Sequence, residues 1–158
     1  MKKKSIIVIS LCLVASIVIL SSNKIYMLYI GDCRQLWEEA QTHYVNRQYE
    51  KARELLEKIA RIDTAHHAQY LTGDMYLKGL GGEIDYDKAL KLFHQSAAGG
   101  NTYAENNIGF MYTYGLGVTK DYSQAFKWLN RVATQGNPEA QIGMGSLYKN
   151  GWGVRKDC

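Results

Sequence analysis

Tyr114–Leu129 reads YGLGVTKDYSQAFKWL, and the role of its two glycines decides the fold. A Gly-x-Gly ahead of a helix can cradle a phosphate, but it then follows a strand and usually brings a Lys to grip the phosphate. No strand-like run precedes Gly115. The same spacing returns at Gly79 and Gly81, and again at Gly151 and Gly153. A feature that recurs at a fixed interval is architecture, so these glycines are read as hinges between helices.

The interval is 36 residues. Ala68, Ala104 and Ala140 keep it, as do Gly73, Gly109 and Gly145, and also Tyr76, Tyr112 and Tyr148, and Asp85, Asp121 and Asp157. Tyr86-x-x-Ala89 matches Tyr122-x-x-Ala125, while Ala97 and Gly100 match Ala133 and Gly136. A period of this length marks stacked supersecondary units. Each unit reads as two helices. The first runs from Ala68 to about Lys78, with small residues that admit a neighbour closely and glycines that close its end. Asp121 stands where an N-cap belongs, with Gln124 three residues on. Ala125, Trp128, Leu129, Val132 and Ala133 then form the buried stripe of a second helix. Gly136 stops that helix, and Pro138 sits at the tolerated first position of the next. By repeat symmetry Tyr76, Tyr112, Tyr148 and Trp128 are expected in the core.

The units are 33–64, 66–101, 102–137 and a half unit at 138–158. The first has a tighter turn, Val45-Asn46-Arg47-Gln48, and a polar character suited to the end of a stack. The pattern Ala-x3-(apolar)-Gly-x-Met-Tyr-x2-Gly-x-Gly-Val-x2-Asp-Tyr-x2-Ala-x2-Trp-x4-Ala-x2-Gly resembles the Sel1-like repeat family. Residues 104–136 match it nearly position for position, 68–100 match well, and 138–157 match its first half. Residues 34–63 are closer to a tetratricopeptide repeat. The resemblance implies an all-α fold, a right-handed α-solenoid of antiparallel helix pairs, whose work is protein–protein contact. It also implies candidate roles. Short exported bacterial members include immunity proteins that neutralise secreted toxins, notably phospholipase-type effectors. Envelope regulators or assembly factors are an alternative, and some secreted relatives act on β-lactams. The paired cysteines of the cysteine-rich subgroup are missing here, so its special properties do not carry over.

Composition narrows the class. With 46% hydrophobic and 22% charged residues the chain is ordinary for a folded protein, and one Pro against 15 Gly suits helices broken at regular points. The net charge of +4 is local: Lys2, Lys3, Lys4 and Lys24 take four of the 19 bases, which leaves 15 bases against 15 acids beyond them. Nucleic-acid binding rests on a surplus of Lys and Arg, and none remains to provide it. MKKKSIIVISLCLVASIVILSSN is a basic tip, then an uncharged run from Ser5 to Leu20, then a polar break. It reads as a signal peptide or uncleaved membrane anchor over residues 1–22, with 23–32 as linker and residues 5–22 as the membrane contact. Cuts after Ser21 or Ser22 would place Ile19 or Leu20 where a small residue is wanted, which favours the anchor. Asp32 before Cys33 rules against a lipoprotein. The basic tip would stay cytoplasmic, so the repeats are expected to face the periplasm, anchored at the inner membrane or, after cleavage, soluble. Cys33 and Cys158 would then meet an oxidising compartment.

No catalytic constellation is legible. His43, His66, His67 and His94 show no metal spacing, and His66 and His67 are expected in a solvated inter-repeat turn. No cofactor, metal or enzymatic activity is expected. A partner would instead lie along the first helices of the units. Positions that change between units on the exposed face are Tyr70, Leu71, Asp74 and Lys78, then Asn106, Asn107, Phe110 and Tyr114, then Ser146 and Asn150. Spacings of three and four put each set on one helical face. Phe110 and Tyr114 stand out as aromatic anchors, with Asn106 and Asn107 able to hydrogen-bond a peptide. Phe110 could equally fill a gap between units.

Overall fold

The computed structural model describes residues 33–61 and 65–152. Two compact units divide the chain, 1–38 and 39–158. Of the first, only residues 33–38 are described, and they are helical; the other described residues belong to the second. The segment expected to target the membrane lies outside the described residues, as do Cys12, Asp157 and Cys158. No described helix is long and apolar enough to cross a membrane.

Seven helices and no strands occur among the described residues: α1 (33–45), α2 (Tyr49–Ala60), α3 (His66–Lys78), α4 (Tyr86–Ala98), α5 (Thr102–Tyr114), α6 (Tyr122–Ala133) and α7 (Pro138–Asn150). From α2 onward each helix packs on its neighbours in the chain, and α5 also touches α7. This is the all-α solenoid pattern of helix pairs. The caps are as the sequence predicts. The Asp121 carboxylate accepts from the backbone N–H of Ser123 and Gln124, Asp85 accepts from Lys88, and Asn137 accepts from Ala140 with Pro138 opening α7. Each satisfies N–H groups that the first turn of a helix leaves without partners.

The Gly-x-Gly loops do more than turn the chain. Gly115 ends α5 in the left-handed conformation (φ +71°), where its N–H and that of Leu116 both reach the Met111 carbonyl, at 2.8 and 3.0 Å. Gly117, also left-handed at φ +66°, lies against the backbone of Tyr86, the first residue of α4. A Cβ there would sit 2.8 Å from the Tyr86 Cβ and 2.9 Å from its carbonyl carbon. Gly81 meets the backbone of Tyr49, at the start of α2, in the same way. Each loop thus seats on the second helix of the preceding unit.

Apolar clusters hold the helices together. One joins Tyr76, Ala89, Phe93, Ala97, Ala104, Ile108 and Met111 across α3, α4 and α5. Another joins Ala125, Leu129, Val132, Ala140, Met144 and Leu147 across α6 and α7, and Tyr112 packs on both. Gly109 lets the two helices of its unit close up: a Cβ there would stand 2.7 Å from the Leu129 Cγ. Trp128 packs on the first cluster, with the Arg131 guanidinium 5.0 Å from the centre of its ring. Tyr148 departs from repeat symmetry. It is 50% exposed and meets the edge of Phe126, whereas Tyr76 is held on three sides. The Tyr76 hydroxyl donates to Glu57 at 2.5 Å, and Arg53 and Lys88 lie 4.8 and 4.9 Å from its ring centre.

A second joint varies by unit. Gln69 and Gln141 each reach back to a carbonyl of the preceding helix, Ala60 and Ala133, both at 3.4 Å. Glu105, in the same register, is buried and reaches forward to Arg131, whose Nη2 and Nε donate at 2.6 and 2.8 Å. A two-pronged Arg–carboxylate contact is among the stronger charge-assisted pairings.

The short turn between α1 and α2 is closed by the Arg47 and Gln48 N–H groups, which reach the Tyr44 and His43 carbonyls at 3.0 and 2.9 Å. Arg47 takes φ +58°, the one positive φ on a described non-glycine residue, in a turn that carries no glycine, whereas the corresponding turns of later units place their positive φ on glycines. A side chain there costs about 1–2 kcal/mol, and glycine recovers part of this against its larger unfolded-state entropy. Arg47→Gly should therefore stabilise the fold by about 0.5 kcal/mol, read as a higher urea midpoint at unchanged m-value. A lower midpoint would mean the Arg47 side chain contributes more than its backbone costs.

Candidate functional site

A groove of about 700 Å³ runs along the first helices of three units, α3, α5 and α7. Its α5 wall carries Asn106, Asn107, Phe110, Thr113 and Tyr114. Tyr70, Asp74, Leu77 and Lys78 face it from α3, and Glu139, Ile142, Gly143 and Ser146 from α7. The size lies within the range of pockets that hold a small molecule or a few side chains.

Phe110 and Tyr114 are 43% and 55% exposed, and their ring centres lie 4.5 Å apart. That spacing comes directly from their separation of four residues on one helix. They form an apolar shelf in the groove that the core does not use. Tyr70 is held among Phe93, Tyr103 and His67, at ring-centre distances of 6.2, 5.8 and 6.2 Å. Burial pushes its phenol up to about 12, and the carboxylates of Asp74 and Glu139 add to the effect. Asn106 spans the groove and donates to Glu139 at 3.3 Å.

Eight of the ten residues expected to face a partner line this groove: Tyr70, Asp74, Lys78, Asn106, Asn107, Phe110, Tyr114 and Ser146. Asp74, expected on an open face, is 8% exposed; its carboxylate turns along the helix to Lys78 at 2.8 Å. Leu71 does not join the set. One residue beyond Tyr70 it points about 100° around the helix, into a separate hollow with Ala40, Gln41, Tyr44, Val45 and Leu56. Asn150 folds its amide back onto the Ser146 carbonyl at 2.9 Å. Glu139 went unrecognised because it lies in the first turn of its helix, away from the compared positions, though its counterparts His67 and Tyr103 also differ between units.

The histidines do not converge. His66 and His67 open α3 rather than a solvated turn. His66 approaches Gln69 at 3.2 Å, its carbonyl accepts from Ser96, and its ring lies where a side chain at Gly99 would point, so it packs the α3–α4 joint. His43 approaches Gln48 at 2.5 Å. His94 meets the Trp128 ring, and burial lowers its pKa towards the neutral imidazole. Cys33 is a half-buried free thiol. Among the described residues no three His, Cys, Asp or Glu side chains gather as metal ligands.

An α-solenoid with a groove along its first helices defines a repeat scaffold, the class that presents an extended surface to a protein partner. Within it the family is specific. The Sel1 repeat matches residues 39–62, 66–101, 102–137 and 138–158, and the chain belongs to the Sel1 repeat family. Proteins with this fold typically serve as non-catalytic interaction scaffolds. The crystal structure of a Sel1 repeat protein from Oxalobacter formigenes is 31% identical, with a TM-score of 0.67 over 75% of this chain and 49% of that one. A protective antigen present in uropathogenic Escherichia coli strains, displaying an SLR fold, is 29% identical, with a TM-score of 0.72 over 80% of this chain and 28% of that one. The chain thus spans less than half the length of either. No protein of curated function matches it.

Proposed function

We propose that this protein is a non-enzymatic scaffold of the bacterial cell envelope that holds a segment of another protein in the α3–α5–α7 groove. The observation that carries the reading is the exposed Phe110–Tyr114 shelf inside that groove. Large aromatics ringed by polar groups are favoured anchors at protein interfaces. The envelope location rests on the basic tip and uncharged run at the N-terminus. Within this role we favour an immunity protein that blocks a secreted phospholipase-type effector, since an exported, partner-binding solenoid is suited to that task. An envelope regulator or assembly factor would use the same groove on a different partner.

Capture from gently solubilised envelopes, with the tagged native chain beside Phe110→Ala/Tyr114→Ala, tests the proposal. The expected result is one protein enriched by the native chain and reduced at least about tenfold by the double variant, the loss of two anchor side chains of more than 1 kcal/mol each. Because both rings are substantially exposed, the variant should keep its helical circular dichroism. A partner held equally by both would move the site elsewhere. Protection of cells against a co-expressed phospholipase effector would single out immunity from the regulatory alternative.

A further inference from the structure

The charges of the groove suggest what kind of segment it takes. Its charged side chains are Asp74, Lys78 and Glu139. Lys78 is committed to Asp74 at 2.8 Å along the same helix. Glu139, on the opposite wall, receives only the neutral Asn106 amide and pairs with no described cation. The Tyr70 phenol lies in the field of both carboxylates, with the Tyr103 ring 5.8 Å away. A carboxylate that pairs with no described cation, in a groove that the Tyr70 ring also lines, suits a cation, by Coulombic attraction and by attraction to the ring.

Building on the groove as the partner site, we propose that its occupant is an extended protein segment carrying a Lys or Arg beside Glu139 and Tyr70, with an apolar side chain two residues away on the Phe110–Tyr114 shelf. The spacing follows from α5. Asn106 marks the Glu139 end and Phe110 lies four residues on, a rise of about 6 Å. Residues i and i+2 of an extended chain stand about 6.6 Å apart and point the same way.

The test uses the folded protein, isotope-labelled, and four neutral-host peptides of nine residues. Their centres are Arg-Ser-Leu, Leu-Ser-Arg, Glu-Ser-Leu and Gln-Ser-Leu, and binding is read from amide shifts up to millimolar peptide. One of the Arg peptides should shift resonances in α5 and the first turn of α7, and bind at least about fivefold tighter than the Glu peptide, near the upper limit for an exposed ion pair. Glu139→Gln keeps an acceptor for Asn106 and should weaken the Arg peptide about threefold to fivefold. Lys78→Ala removes the groove's own cation and should tighten it, a change of sign that a merely structural role would not give. Equal binding of Arg and Glu peptides, no shift with either Arg peptide, or indifference to Glu139→Gln would overturn the inference. A captured partner lost with Phe110→Ala/Tyr114→Ala but untouched by Glu139→Gln would leave the groove reading standing and remove the cation from it.

Discussion

Gly117→Ala is expected to lower folding stability by about 3 kcal/mol, and Gly115→Ala by only about 1. Both positions are left-handed, so both substitutions carry the backbone penalty of about 1 kcal/mol. They differ in what the new methyl meets. Around Gly115 the nearest atoms, on Lys120 and Val118, begin at 3.3 Å, close to ordinary contact. Around Gly117 the Tyr86 Cβ, carbonyl carbon and carbonyl oxygen lie at 2.8, 2.9 and 3.0 Å. Two of those three are main-chain atoms at the start of α4 and cannot rotate away. The loop must lift from the preceding unit, which adds an overpacking cost of about 2 kcal/mol. Urea denaturation of the two variants beside the native chain measures the difference. Equal losses would show that the loop serves only to reverse the chain.

The same pair shows how far the sequence could be read. A period of 36 residues exposed the helix pairs, their caps and the left-handed glycines, because each depends on residue type within a few positions. The contact between Gly117 and Tyr86 spans two units, and nothing in the loop itself names its neighbour. The groove was legible to the extent that it follows helical geometry. Phe110 and Tyr114 share a face because they lie four apart, whatever surrounds them. Asp74 shares that face but is covered by its neighbours, with its carboxylate turned along the helix to Lys78, a choice made by packing. Leu71 is grouped with the groove face and Glu139 is not singled out, for opposite reasons. Leu71 varies between units yet points to α1 and α2, and Glu139 enters the groove only because α7 lies against α5. Variation between repeats finds surface positions, while the set of walls that meet is a property of the stack.

The largest loss is expected from Phe93→Ala, about 4 kcal/mol. Phe93 is fully buried in the cluster shared by α3, α4 and α5. Its ring fills the space opened by Gly73, where a Cβ would stand 2.9 Å from Cε1. Neither glycine nor Tyr70 can supply the missing volume, so a cavity remains. Leu129 occupies the equivalent place over Gly109. Phe93→Leu therefore borrows a solution already used one unit later and should cost no more than about 1.5 kcal/mol. Where the damage appears is as informative as its size. Contacts run mainly between neighbouring helices, and stability in such stacks is close to a sum of units and their joints. Amide exchange in Phe93→Ala should quicken in α3 and α4 while α6 and α7, with their separate cluster, remain protected. Uniform quickening would instead mean that the Tyr112 contact to both clusters couples the stack into one cooperative block. In the first case the groove loses its α3 wall and keeps α5 and α7. Phe93→Ala should then weaken a partner seated against Tyr70 without removing any residue that touches it.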